Sequence, residues 1–386
     1  MRSGSKERLC IFAFIAAQIA ERVNPTMTYR RSLATAAALV AALCVTAGRA
    51  SAVPNVENAR SDANWIKTSI LTSGQMAGAI AYYPDAPGLK QIRPYFANYA
   101  AFGLIQATAA TGDSQYVNAA WDYLTWYGTH MDAAGYVHDW DLVNGTWVQG
   151  GYDSTDSYAA TFLMAVRAAY RVSGNTTKLQ SLSWPIQVAI SIIHSTQQSD
   201  GLTWATPAWH MKYAEDAVES YQGLLAGQSL ANTLGLTSTS TDAGNFAYAL
   251  LSGLGTMWNS SNNTVYWAKA EDGTLSAPDW TVLSPDIMAQ GWQVSYKTAT
   301  GTRASIILSQ IDSHMSNWDQ PASHGNNYDV TAMGWGYYFT GNESRAQLAA
   351  THIRSAAMTA NRAWPFMPQD AGALIILETD GEDILF

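Results

Sequence analysis

Asp153 and Asp156 stand three residues apart where a loop turns into a helix. Gly150 and Gly151 break the preceding strand, and the Asp153 carboxylate is placed to cap the first helical turn. Behind them Ala160, Leu163, Met164, Val166 and Ala168 make a helix apolar nearly all round, as expected of one buried among others. The arrangement recurs. Lys212, Asp216 and Glu219 fall on one face of a helix expected from Lys212 to Leu234. Asp279-Trp-Thr-Val-Leu-Ser-Pro-Asp286 leads into another such helix, and Asn326-Asn-Tyr-Asp329 into a further one. The first of the series carries Tyr95, Asn98 and Tyr99 and no acid. A single acid near a helix N-terminus is explained by the helix dipole. Acids at several such starts, each beside Trp or Tyr, point to a shared acidic cleft. Asp156 and Asp216 are the leading acid/base candidates, followed by Asp153, Glu219 and Asp286.

Paired carboxylates in a cleft suit glycoside hydrolysis. One stays protonated to donate to the leaving oxygen, and the other is ionised to activate water or attack carbon. Crowded like charges separate the two pKa values. The aromatic usage fits a sugar ligand. The chain holds 15 Trp and 20 Tyr against 9 Phe, and Trp and Tyr combine a flat apolar face with a polar handle. Trp140, Trp147, Trp209, Trp280 and Trp292 are candidate stacking residues. Tyr95, Asn98, Tyr99, Tyr152, His210 and Lys212 are candidate substrate contacts.

Other chemistries find less support. The 7 histidines are scattered, with no H-E-x-x-H pair. There is no G-x-S-x-G, P-loop or dinucleotide fingerprint. Neither a metal nor a cofactor is expected. A formal net charge of −9 argues against nucleic acid and anionic membrane as partners; the expected partner is a polysaccharide or oligosaccharide.

The helices that must position these residues come in pairs. An inner, small-residue-rich helix alternates with a more charged partner: Tyr95–Gly112 with Gln115–Met131, the 150–174 segment with Lys178–Gln197, Lys212–Leu234 with Asp242–Trp258, Pro285–Tyr296 with Arg303–Asn317, Asp329–Phe339 with Ser344–Thr359. Asp370–Leu377 can pair with Asn58–Leu71 to close a ring. Inner helices of such a ring run the same way, so their N-termini converge at one end. Asn144-Gly145 between apolar and aromatic runs predicts a type I′ hairpin within 135–149, with little strand elsewhere. The expectation is an all-α (α/α)6 toroid with a short β-hairpin insertion.

Residues 1–52 read as an upstream extension and a secretory signal. A basic start at Met27, an apolar run from Leu33 to Ala47 and Ala50-Ser51-Ala52 before Val53 place cleavage after Ala52. The domain expected is 53–386, secreted or periplasmic and without stable membrane insertion. Both cysteines, Cys10 and Cys44, fall in the removed part.

Taken together, the paired helices, the signal and the acidic inner-helix starts resemble the six-hairpin glycosidase superfamily. Asp153-Ser-Thr-Asp156-Ser-Tyr-Ala-Ala160 is similar to the inner-helix segment of bacterial family 8 endoglucanases and chitosanases. Family 76 α-mannanases resemble the chain in fold and carry adjacent aspartates; the nearest pair here, Glu215-Asp216, is a different one. The resemblance implies a secreted glycoside hydrolase. Two alternatives remain open: a polysaccharide lyase or sugar epimerase on the same ring, and a non-catalytic carbohydrate-binding envelope protein.

Overall fold

Residues 55–84 and 90–386 are described by the computed structural model. The signal-type segment, both cysteines and the boundary at Val53 lie outside the described residues. The first outer helix, α1 (Val56–Thr68), is capped by the Asn55 side chain, which accepts from the Asn58 N–H. Five inner–outer pairs follow: α2 (Pro94–Thr111) and α3 (Ser114–Thr129), α4 (Thr155–Ser173) with short α5 (Thr176–Ser181) and α6 (Ser183–Thr196), α7 (Ala214–Thr233) and α8 (Thr237–Thr256), α9 (Met288–Ser295) and α10 (Gly301–His314), α11 (Thr331–Phe339) and α12 (Glu343–Thr359). The sixth inner helix is α13 (Pro368–Thr379), and short α14 (Glu382–Leu385) follows it.

Small residues bring the inner helices together. α2, α4, α7, α9, α11 and α13 touch in that order, and α13 packs back on α2 to close the ring. At the closure Gly103 faces Gly372, where an added Cβ would sit 2.3 Å from the other backbone. Between α4 and α7, Gly223 meets Ala160 at 2.4 Å by the same measure. Every residue of α4 from Thr155 to Ala169 is buried. The outer helices bury one stripe only, as α8 does through Ser240, Ala243, Ala247, Leu250 and Leu254. The result is the all-α (α/α)6 toroid expected from the sequence, with α1 packed over α2 and α13 as the sixth outer helix. Among the described residues no helix is long and apolar enough to cross a membrane.

The hairpin forms from β2 (Trp140–Val143) and β3 (Thr146–Gln149), with Asn144 at φ 51° and Gly145 at φ 80° as a type I′ turn demands. A two-residue strand, β1 (Gln91–Ile92), joins its edge. Strand is more widespread than expected. β4 (Lys212–Tyr213) pairs with β7 (Ala268–Lys269), which pairs with β8 (Leu275–Ser276), while β5 (Trp258–Asn259) pairs with β6 (Thr264–Val265). These two-residue pieces staple the loops at helix ends and are too short to show a period of two.

Two local readings need correction. The N-cap of α4 is Ser154, whose Oγ accepts from the Ser157 N–H at 3.3 Å. Asp153 lies one residue outside the cap. Lys212 belongs to β4 and precedes α7, so it shares no helical face with Asp216 and Glu219. Its ammonium is held by Asp200 at 2.7 Å, which also pairs with Lys269 at 2.8 Å.

Candidate active site

All six inner helices deliver residues from their N-terminal ends to one cavity of about 180 Å³. α2 supplies Tyr95, Phe96 and Tyr99. The start of α4 supplies Asp153, Ser154, Ser157 and Tyr158, and α7 supplies Glu215 and Asp216. Met288 and Trp292 come from α9, Tyr328, Asp329 and Ala332 from the start of α11, and Gln369, Asp370 and Ala373 from α13. Because α4 and α7 stand across the ring from α11 and α13, the carboxylates form two opposing walls.

On the first wall, Ser154 Oγ lies 2.7 Å from Asp156 Oδ1 and 3.3 Å from Asp216 Oδ2. Asp156 is fully buried and also accepts from the Ser157 N–H at 3.0 Å. Burial raises its pKa against the Thr203 and Ser154 hydroxyls and the Ser157 N–H. Burial holds the Asp216 carboxyl well above the usual range, and Asp156, Glu219 and Glu215 push it further. Glu215 is raised well above its ordinary value by burial, then by Glu219, Asp329 and Asp286. Asp153 stands exposed at the mouth.

On the second wall, burial pushes Asp329 up to about 6, against the pull of the Gln369 amide, which donates to its Oδ1 at 2.7 Å. Asp370 is held well above the usual range by burial and then by Asp329. Its Oδ2 accepts from the Met367 N–H at 2.7 Å, across the first turn of α13.

Glu219, a catalytic candidate from the sequence, lies outside the cavity lining and is bonded to three residues that form it, Tyr95, Tyr99 and Trp292. It is 1% exposed, and a single oxygen, Oε1, accepts from Tyr95 at 2.8 Å, Trp292 Nε1 at 3.2 Å, the Tyr296 hydroxyl at 3.2 Å and the Tyr99 hydroxyl. Burial raises its pKa, and the donors from Tyr99, Tyr95, Ser157 and Trp292 lower it. The four hydrogen-bond donors to Oε1 come from α2, α9 and the residue that ends α9, so one carboxylate on α7 ties helices across the ring.

The other residues singled out from the sequence are placed as follows. Tyr95, Tyr99 and Trp292 line the cavity. Asn98 is buried beside it as a brace: its amide donates to Thr161 Oγ1 at 2.8 Å and its oxygen accepts from the Tyr123 hydroxyl at 2.8 Å. Asp286 lies outside the lining and accepts from the Asp279 N–H at 2.7 Å, holding a loop. Tyr152 stacks on Tyr136 with centroids 5.3 Å apart. Trp140 and Trp147 pack their half-buried faces on the core. Trp209 is exposed and donates to the Tyr213 hydroxyl at 3.0 Å. His210 stacks on Trp204 at 3.8 Å and pairs with Glu271 at 2.9 Å. Trp280 stacks on His314 at 4.7 Å.

Sequence reasoning placed Asp329 at the acidic cleft without making it a catalytic candidate, and did not single out Glu215 or Asp370 as site residues. Asp370 had one available signal, an acid in the first turn after Pro368. That signal also describes a cap, and Asp370 is in fact half of a capping pair. Among the described residues no group of His, Cys, Asp and Glu is arranged to hold a metal ion.

No family model and no curated protein matches the chain in sequence. Solved structures match it in fold. The GH78 family rhamnosidase of Bacillus sp. GL1 superposes with a TM-score of 0.56 at 12% identity, covering 85% of this chain and 35% of that one. This chain thus spans about a third of the rhamnosidase's length. The β-1,3-1,4-glucanase from Paenibacillus sp. X4 gives 0.56 at 12% identity over 83% of this chain and 90% of its own. The GH63 mannosylglycerate hydrolase from Thermus thermophilus, in complex with glucose, gives 0.56 at 11% identity over 83% and 99%. The chain shares the (α/α)6 fold of these enzymes.

Proposed function

We propose that this protein is a glycoside hydrolase whose reaction centre is the cavity at the converging inner-helix N-termini. The observation that carries the reading is the pair of opposing carboxylate walls, each holding at least one group with a raised pKa. Asp216, kept protonated by burial and by Asp156, serves as the general acid. Its proton passes to the glycosidic oxygen as the bond from that oxygen to the sugar carbon breaks. Asp329, whose pKa of about 6 leaves it ionised near neutrality, draws a proton from the attacking water or attacks the carbon itself. Asp153, Glu215 and Asp370 set the charge around them. Tyr95, Tyr99, Tyr158 and Trp292 offer ring faces to a sugar.

A lyase acting on a uronate usually needs Arg or Lys to hold its carboxylate, beside a Tyr or His at the reacting carbon; the cavity offers tyrosines but, among the described residues, no cation. The described residues that line the cavity are acids, hydroxyls, an amide and apolar or aromatic side chains, with no His, Lys or Arg. A non-catalytic sugar-binding protein has no use for two sets of buried carboxylates that repel one another. Fold likeness to glycosidases supports the assignment but does not by itself fix activity.

Export is part of the proposal and rests on the signal-type segment 27–52. N-terminal sequencing of secreted protein should find Val53 first. Release of reducing ends across a panel of polysaccharides tests the hydrolase. The expected result is release by wild type and loss of release in both Asp216→Asn and Asp329→Asn. Normal turnover by both variants would refute the site.

A further inference from the structure

Aromatic rings run from the cavity wall out to open water. Phe96 lines the cavity. Tyr82 stacks on Phe96 with centroids 5.2 Å apart and planes at 22°. Trp364 meets Tyr82 edge-on at 5.8 Å and 67°, and Tyr83 at 5.9 Å and 85°. The Trp364 N–H donates to the Tyr83 hydroxyl at 2.8 Å, which fixes the backbone under the ring. Trp364 is nevertheless 57% exposed. An indole packed against two tyrosines and still more than half exposed is preorganised for a flat apolar ligand, because little side-chain entropy is left to lose on binding.

The row of rings is joined to the second carboxylate wall. Phe96 lines the cavity together with Asp329 and Asp370, and burial, then Asp329, Asp370 and Asp139, raise the Tyr82 phenol to about 12. The guanidinium that faces Tyr82, Arg93, is already paired with Asp139 at 3.3 Å and Asp141 at 2.8 Å. A polyanionic chain therefore meets carboxylates and no free cation among these groups, while a neutral one meets ring faces.

We infer that Trp364, Tyr82 and Phe96 form an outer subsite that stacks the rings of a neutral glycan chain, beside the cavity and continuous with it. The inference rests on the hydrolase reading and deepens it: the substrate is a chain that extends past the reacting sugar. The apolar C–H face of a pyranose lies on an aromatic plane as another ring does. A subsite outside the cavity adds affinity for long substrates and none for a ligand that fills the cavity alone.

The test is affinity electrophoresis in gels holding soluble β-glucan, xylan, galactomannan, starch or polygalacturonate, run in parallel with reducing-end assays on the same preparations. Wild type should be retarded by at least one neutral glycan. Trp364→Ala should weaken that retardation about tenfold, the scale of truncating a stacked Trp. Trp364→Phe should restore part of it, and melting temperature should show each variant folded. Trp184→Ala, another exposed Trp on outer helix α6, should bind as wild type does. Trp364→Ala binding equal to wild type, retardation by polygalacturonate alone, or no retardation by any glycan would overturn the inference. Glycan binding that depends on Trp364 but is accompanied by no released reducing ends leaves the subsite standing and sinks the hydrolase reading instead.

Discussion

Ser154 bridges Asp156 and Asp216, with its hydroxyl oxygen 2.7 Å from one carboxyl and 3.3 Å from the other. The two acids come from different inner helices and are brought within the reach of one hydroxyl. Two carboxyls so placed do not both ionise readily, so the pair shares protons. This makes Asp216 a suitable donor at neutral pH. Asp216→Asn should lower kcat by about 10²-fold or more while barely changing stability. Asp156→Asn should act differently. Removing the charge nearest Asp216 lets that group lose its proton at lower pH, so the basic limb of the kcat/KM profile should move toward acid. A pH–rate profile with an unmoved basic limb would contradict the coupling.

Asp329 gives the acidic limb and a stability signature. Its pKa is about 6 in the folded chain and about 3.9 in an unfolded one. The folded state therefore binds the proton more tightly. Stability is greatest below the unfolded value and falls as pH rises from about 4 through about 6. Asp216, Glu215 and Asp370 are all raised too and act in the same sense. Melting temperature should be higher near pH 5 than near pH 8. In Asp329→Asn the difference should shrink, with the gain appearing on the alkaline side. The same variant should lose the limb of kcat/KM that rises through about 6. A melting temperature that climbs steadily from about pH 5 to 8 would refute the assignment.

Glu219 is a brace beneath the chemistry. Its Oε1 accepts from four side chains. Glu219→Gln keeps an acceptor there and should leave melting temperature within a few degrees and kcat within about tenfold. Glu219→Ala strands four buried donors and should cost several kcal/mol. Calorimetry on the pair separates the roles. A Gln variant that folds normally yet loses as much turnover as Asp216→Asn would make Glu219 a participant in the reaction.

The ring was legible in the sequence because small apolar residues recur at helical spacing on segments of similar length. The first wall was legible for the same reason: Asp153, Asp156 and Asp216 sit at helix starts whose direction follows from alternation. Asp329 and Asp370 were harder to read. The sequence anticipates a closing helix at Asp370–Leu377, but not that its start stands beside that of α11 with both carboxyls turned to the cavity. Asp370 also looks like a cap, and is one. The tryptophans show a second limit. Trp209, Trp280 and Trp292 were all candidates for stacking, yet of the three only Trp292 lines the cavity. A helix position fixes the face of a side chain; a loop position does not. Lys212 fell on the wrong face for a related reason. A two-residue strand before α7 rotates it away, and Asp200 captures it.

The ring closure itself offers the last test. Gly372 on α13 faces the Tyr99 carbonyl on α2, and a Cβ there would lie 2.3 Å from that oxygen. Backbone cannot yield as a flexible side chain can, so Gly372→Ala must push the two helices apart. The expected cost is about 1–3 kcal/mol or more. The displacement also falls on Tyr99, whose hydroxyl donates to Glu219 and whose ring lines the cavity. Activity should therefore fall even at temperatures where the variant is folded. Gly112→Ala provides the contrast. That residue ends α2 at φ 73° with nothing within 4 Å of an added Cβ, so its cost is local strain and kcat should be kept. Equal loss of kcat in the two variants would show that the α2–α13 contact does not position the cavity.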